Sequence, residues 1–250
     1  MILGIIQARM GSTRLPGKVM KEIEGKPLLQ HMIERVSKSK LVDEFVVATS
    51  SREIDTVIQH LCRRLNIRCF RGSENDVLDR FYQCARSFEP APDYIVRLTA
   101  DCPLHDPEVI DFVVQKFLEK KVDYMTNSFE PLYEDGFDVE IFTFSALEDA
   151  WKKTTKKSER EHVTPYIRNT GLFKIHKQKY LDSYNYKLSV DSPSDFELIK
   201  QIFAHFCKSN KMFGINEVVK LLENNPSLLE LNKESIINAG YQKSLAMEKN

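Results

Sequence analysis

Ile2-Leu3-Gly4-Ile5-Ile6-Gln7, running straight into Ala8-Arg9-Met10-Gly11-Ser12-Thr13-Arg14-Leu15-Pro16-Gly17-Lys18, decides how this chain is read. The first stretch is short and almost wholly apolar, the pattern of a buried strand. The second is a loop of glycines, hydroxyls and cations. Gly11 and Gly17 let the backbone approach a ligand closely, and Ser12 stands beside Gly11. Backbone N–H groups in such a loop can cradle phosphate oxygens. Arg9, Arg14 and Lys18 place three cations within ten residues, a charge suited to a triphosphate. The spacing is not that of a Walker A loop, because five residues separate Gly11 from Gly17 and Val19 stands where Ser or Thr would hold magnesium. The bland alternative is a solvated basic turn with two turn glycines.

Outward from this loop, short apolar runs alternate with amphipathic stretches. Helical spacing covers 27–37, 53–65, 77–88 and 107–120, and strands are expected at 44–49, 67–70 and 94–99. Such alternation predicts βαβ units and a three-layer α/β/α, Rossmann-like fold with a mainly parallel sheet. Ligands of such sheets bind at the carboxyl ends of the strands. That nominates the loops after Gln7, Thr49 and Thr99. The second half is less regular. It predicts strands at 139–144, 174–176 and 187–190. Ser158 and Glu161 suggest a capping box for a helix running to Arg168. A strong helix covers 193–207, started by Ser192 or Asp191. Residues 1–214 are expected to form the main domain, with 128–180 inserted as the acceptor or dimer region, and 215–250 to form a last helix and a polar tail.

Composition narrows the class. The chain has 250 residues, 42% hydrophobic and 29% charged, enough for one good core. Lys plus Arg equals Asp plus Glu at 36 each, which gives no support to a nucleic-acid or membrane-surface binder. Five scattered cysteines without a CxxC pair argue against a disulfide framework or a zinc site. The N-terminal apolar run lacks a basic leader and is too short to span a bilayer, so a cytoplasmic protein is expected.

Two acids end predicted strands. Asp101, in Arg97-Leu98-Thr99-Ala100-Asp101-Cys102-Pro103-Leu104, follows an apolar strand at the site end of the sheet. A carboxylate there can hold a magnesium ion bridging phosphate oxygens; the alternative is a cap of the following turn. Asp191, in Leu188-Ser189-Val190-Asp191-Ser192-Pro193, is a helix cap or a second metal ligand. Asp195, on the first helical turn, reads as structural.

The Q-A-R-M-G-S-T-R-L-P-G-K loop resembles the signature of the CMP-sugar-acid synthetases, such as the CMP-Kdo and CMP-acylneuraminate enzymes. The chain is still more similar to the SpsF-like spore-coat polysaccharide biosynthesis proteins. That similarity extends through 71–81, 97–104, 135–140, 160–168, 190–193 and the tail at 238–245. It implies a fold of the nucleotide-diphospho-sugar transferase type and a CTP-dependent cytidylyltransferase that uses Mg2+, forms a homodimer and activates a sugar acid. It implies that Arg14 and Lys18 contact the triphosphate and that Ala8 and Arg9 line the nucleotide site. Arg71 and Ser73 then fall near base and ribose, and Asp101 and Asp191 hold the metal. Ala100 and Cys102 depart from the Gly and the acidic residue that flank the metal ligand in CMP-Kdo synthetase. Asp138, Glu140, Arg160 and His162 are the acceptor candidates. Arg160 would grip a carboxylate or phosphate and His162 would help deprotonate the acceptor. Their bland alternatives are a helix-surface ion pair with Glu161 and a packed helix histidine. Two rival functions stand beside this one. A nucleotide-sugar glycosyltransferase would usually carry Asp-x-Asp, but Thr99 and Pro103 flank Asp101 instead. A non-catalytic nucleotide-binding subunit is disfavoured by the complete set Arg14, Lys18, Asp101 and Asp191.

Overall fold

The computed structural model describes residues 1–129, 135–181, 186–207 and 212–248. β1 (Ile2–Gln7) lies between β4 (Glu44–Ser50) and β6 (Tyr94–Thr99), parallel to both. β5 (Arg68–Gly72) extends the parallel set beyond β4. On the other side β8 (Glu140–Thr143) pairs antiparallel with β6, and β7 (Tyr124–Thr126) and β9 (Ile175–Lys177) follow, giving the order β5-β4-β1-β6-β8-β7-β9. A small hairpin, β2 (Glu22–Ile23) with β3 (Lys26–Pro27), stands apart.

Strand alternation sorts the core into two layers. Ile6, Val47, Val96 and Leu98 face α1 (Leu28–Val36), α2 (Thr56–Arg64), α4 (Pro107–Lys120), α8 (Pro193–Cys207) and α9 (Ile215–Asn224). Leu3, Ile5, Val46 and Ile95 face α3 (Val77–Arg86), α5 (Phe144–Lys153) and α7 (Pro165–Asn169). The expected three-layer α/β fold is therefore present. Ile215, Val218 and Leu222 of α9 belong to the first layer, so that core continues past residue 214.

The register decides where the site lies. Gln7 is level with Ala48 on one side and Thr99 on the other. The loops that follow these strands therefore emerge side by side at one sheet edge. Arg35, buried in α1, fixes the turn after β6 by donating to the carbonyls of His105, Leu104 and Phe213 at 2.8–2.9 Å.

Four expectations need correction. The helix expected from Ser158 to Arg168 is two short helices, α6 (Lys157–His162) and α7, broken at Val163. Pro165 lacks the N–H that a continuous helix would use and its ring would clash one turn back. Val163 takes φ 71°, ψ −56°, and Thr164 N–H bonds to His162 O at 2.8 Å, a γ-turn of positive φ. Ser158 does not form a capping box with Glu161; its N–H and hydroxyl both donate to Glu248. That carboxylate lies in α10 (Ala239–Glu248), a helix where only a polar tail was expected. Residues 187–190 form no ladder. Asp135 replaces one, accepting from Leu188 N–H at 2.9 Å, Ser189 N–H at 2.7 Å and the Ser189 hydroxyl at 2.9 Å. Within 128–180, β8 and β9 are strands of the main sheet, and 130–134 lie outside the described residues.

Gly136 makes that docking possible. Its φ is +88°, and an added Cβ would stand 2.7 Å from Leu188 Cβ. Gly136→Ala is expected to cost about 1–3 kcal/mol. In thermal melts of a chain this size that is a fall of roughly 2–4 °C per kcal/mol. An unchanged melting temperature would refute the close approach.

Candidate active site

The first loop is built around its own backbone. Gly17 at φ 68° turns the chain into a one-turn 3-10 helix at Lys18–Met20, and Gly17 N–H closes the loop on Met10 O at 3.0 Å. Met10 N–H donates to Asp55 Oδ1 at 2.7 Å, and the buried Asp55 also takes the Ser50 hydroxyl. The loop is thus pinned to the end of β4. Arg14 stays exposed, whereas Lys18 is turned inward with 11% of its side chain exposed.

Lys18 meets both nominated aspartates. Its ammonium lies 2.8 Å from Asp101 Oδ2, 3.0 Å from Asp191 Oδ1 and 2.6 Å from Val190 O. Arg14 reaches the same Asp191 oxygen at 2.9 Å. Val190 N–H donates to Asp101 O at 2.8 Å, tying the two acidic segments together. Burial alone would lower the Lys18 pKa, but Asp101 and Asp191 outweigh it and hold the pKa above the ordinary lysine range. Burial likewise opposes ionisation of Asp101. Lys18 overcomes it, aided by Thr99 and Lys187, and holds this carboxyl well below the usual carboxylate range. Asp191 is free for this role because it is not the helix cap. Ser192 Oγ accepts from Asp195 N–H at 3.2 Å, and Asp195 Oδ2 accepts from Asp191 and Ser192 N–H at 3.0 and 2.9 Å. Asp195 is structural, as its position on the first turn suggests.

Lys187 was not foreseen. It is 5% exposed and lies 3.1 Å from the second Asp191 oxygen and 3.9 Å from Asp135, with Ser189 O at 2.6 Å. Its only sequence signal is a lysine four residues before the acid, in a segment that read as a strand. Asp135 was missed for the same reason: nothing local shows that it binds 187–191.

The expected base-side residues are engaged with the protein. Arg71 donates to Ser50 O at 3.1 Å and Arg52 O at 2.7 Å, and to Thr56 and Gln59 at 3.3 Å. It shapes the loop after β4. Ser73 Oγ accepts from Asp76 N–H at 3.1 Å, and Ser73 O accepts from the buried Arg80. Glu74 borders the first loop: a Cβ on Gly11 would come 3.2 Å from its Oε1. Burial lowers Arg80 to about 10, with Arg9 adding to the effect.

The acceptor candidates divide. Asp138 Oδ2 accepts from Gly136 N–H at 2.9 Å, and burial pushes the Cys102 thiol up, with Asp101, Asp138 and Asp135 adding to it. Burial and neighbouring Asp135 lift the Asp138 carboxyl to about 7. Glu140 is the hub of a buried network instead. It pairs with Arg97 and accepts from Tyr124 and from Thr164 Oγ1. Arg160 pairs with Asp76 at 2.6 Å, rather than with Glu161, and donates to Trp151 O and Thr154 O. His162 sits between Ser244, at 3.0 Å, and the Tyr241 ring of α10, and burial pushes it down to about 4.

Magnesium prefers hard oxygen donors from one or two carboxylates, completed by water and phosphate. Asp101 and Asp191, focused on one cation with Val190 O beside them, fit that preference. Among the described residues no group of three or more His, Cys, Asp or Glu could hold a metal, so the remaining donors would be water and nucleotide. No helix among the described residues is long and apolar enough to cross a membrane.

A cationic glycine loop facing paired carboxylates, at the carboxyl edge of a mostly parallel sheet, places this chain among the nucleotidyltransferases. Comparison with known proteins narrows the class: the cytidylyltransferase family model matches residues 3–231, and the chain belongs to that family. Spore coat polysaccharide biosynthesis protein SpsF of Bacillus subtilis is 35% identical over 239 residues, covering 90% of this chain and 95% of SpsF. A cytidylyltransferase structure from Leptospira borgpetersenii superposes with a TM-score of 0.85 at 35% identity, covering 91% of this chain and 96% of that one. CMP:2-keto-3-deoxy-manno-octonic acid synthetase complexed with CTP shares the fold, with a TM-score of 0.62 at 18% identity over 82% of this chain and 98% of that one.

The Glu140 network makes a pH prediction. Burial opposes its charge, but Arg97 and Arg168 outweigh it, with Tyr124 and Thr164 helping, and its carboxyl falls from 4.5 to about 2. A depressed carboxyl stabilises the fold above its unfolded pKa and loses that contribution as pH falls through the folded one. The increment, on the order of 3 kcal/mol, is therefore present above pH ~4.5 and fades toward pH ~2. Glu140→Gln should lower stability at pH 7 and flatten acid unfolding across that window. Parallel wild-type and variant curves would count against the network.

Proposed function

We propose that the chain transfers CMP from CTP to a sugar acid or sugar-like acceptor, releasing pyrophosphate, in the synthesis of a surface polysaccharide or glycoconjugate. The observation that carries this is the meeting of Arg14 and Lys18 with Asp101 and Asp191 at the edge of the first βα loop. The family match supports cytidine as the base.

In this mechanism an acceptor oxygen attacks the α-phosphorus in line and the bond to pyrophosphate breaks. Negative charge grows on the phosphate oxygens and on the leaving group. Arg14, exposed at the loop, and Lys18, at its inner wall, bind and neutralise that charge. The loop backbone at Gly11 and the Ser12 hydroxyl hold the phosphates in place, with Ala8 and Arg9 beside them. Catalysis of this kind is positioning and electrostatics. Asp101 and Asp191 would hold Mg2+, which supplies further charge neutralisation on the phosphates. Lys187 and Asp135 fix Asp191 from behind. Asp138 takes a hydrogen bond from the acceptor. Arg71 and Arg160 act indirectly, by shaping the loop after β4 and anchoring α6 to the start of α3. No protein nucleophile is required, and the cysteines take no part.

A thermal-shift series with the four nucleoside triphosphates and Mg2+ tests the base. A ligand at about 100 times its Kd stabilises the fold by about 2.7 kcal/mol. CTP should give the largest shift; a shift no larger than that of ATP would remove the cytidylyl assignment. Asp101→Asn should keep its fold by circular dichroism yet lose on the order of 100-fold or more in pyrophosphate release with a productive acceptor. Undiminished release would exclude Asp101 from the chemistry.

A further inference from the structure

We propose that Lys18 is the resident counter-cation of the Asp101/Asp191 pair, and that CTP must draw it away before the pair can accept a divalent ion. Nucleotide and metal then enter together. This rests on the functional reading above and adds an order of events to it.

Three observations converge. First, the Lys18 ammonium is held by three oxygens at 2.6–3.0 Å, two of them carboxylate. Those are the oxygens a metal would use, and one cation already satisfies them. Second, both oxygens of Asp191 already face cations. Arg14 shares the Asp191 oxygen that Lys18 uses, and Lys187 neutralises the other at 3.1 Å. A divalent ion approaching the free protein therefore meets carboxylate oxygens that Arg14, Lys18 and Lys187 already occupy. Third, no group of three or more His, Cys, Asp or Glu that could hold a metal exists among the described residues, so the Asp101/Asp191 pair would share its ion with water and phosphate oxygens.

A triphosphate changes each of these terms. It brings several negative charges to the loop that carries Arg14 and Lys18. It also supplies the phosphate oxygens that magnesium sites of this kind take from substrate. Lys18 has a flexible four-carbon stem and a compact charge, so its ammonium can move from the acids to a phosphate with no change in the backbone turn at Gly17. With Lys18 withdrawn, two adjacent carboxylates face each other without their shared cation, and like charges so close strongly favour a new one. Before nucleotide arrives, the same lysine keeps that repulsion from destabilising the fold.

The test titrates Mn2+ by its electron paramagnetic resonance signal into wild type and Lys18→Met, each with and without CTP and with no acceptor present. Without nucleotide, Lys18→Met should bind Mn2+ on the order of tenfold or more tighter than wild type, within the usual range for coupled sites. Equal affinity in the two proteins would overturn the inference. CTP preference over ATP, measured by calorimetry on the same samples, would then be untouched. Failure of wild type to bind any nucleotide would overturn the functional reading and this inference together. Should Lys18→Met not fold, lysine-ammonium NMR of 15N-labelled wild type decides the matter. Mg2+ alone should leave the Lys18 signal in place, and CTP with Mg2+ should move it. Movement on Mg2+ alone, or none when CTP is bound with Mg2+, refutes the proposal.

Discussion

One buried ammonium holds the site together. Lys18 joins the first loop to Asp101, 83 residues away, and to Asp191, 173 residues away. Desolvating a lysine is unfavourable, and so is crowding two carboxylates; each charge makes the other tolerable. Removing any one partner would leave an uncompensated charge near the sheet edge. The segments that supply the partners are accordingly fastened by other means: Asp55 holds the first loop, Arg35 holds the turn after β6, and Asp135 and Lys187 hold 187–191.

A second buried charge system lies on the opposite layer. Arg97, Glu140, Tyr124 and Thr164 bind one another beneath α6 and α7. Arg97 also donates to Gln7 at 3.1 Å, at the carboxyl end of β1. The strained γ-turn at Val163 delivers Thr164 to Glu140, and α10 covers α6 through Glu248, Ser244 and Tyr241. Local strain of this kind persists only where surrounding contacts enforce it. Here the enforcing contacts come from a sheet strand below and the last helix above.

Most departures from expectation in the site share one cause. Side chains engaged with distant backbone carry no local signature. Arg71 and Arg160 have the composition of ligand-binding residues, yet their guanidinium groups are spent on carbonyls and on Thr56, Gln59 and Asp76. Glu140 alternates in sequence like a half-exposed strand residue, but is buried because β8 lies inside the sheet between β6 and β7. Residues 187–190 have strand periodicity and no strand partner, because Asp135 takes up the N–H groups first.

What the chain determined by itself was local and periodic: the apolar runs of β1, β4 and β6, the helices between them, and a cation-rich glycine loop at the first strand's end. These follow from hydrophobic alternation and turn chemistry, which act over a few residues. The acids at Asp101 and Asp191 were also visible, since each ends an apolar run. Only the tertiary structure decided that Ser192 rather than Asp191 caps α8, that Lys187 joins the site, and that Glu140 and His162 face other partners. Those outcomes depend on which groups compete for the same hydrogen bonds and counter-charges in space, and that competition is settled between segments that share no sequence neighbourhood.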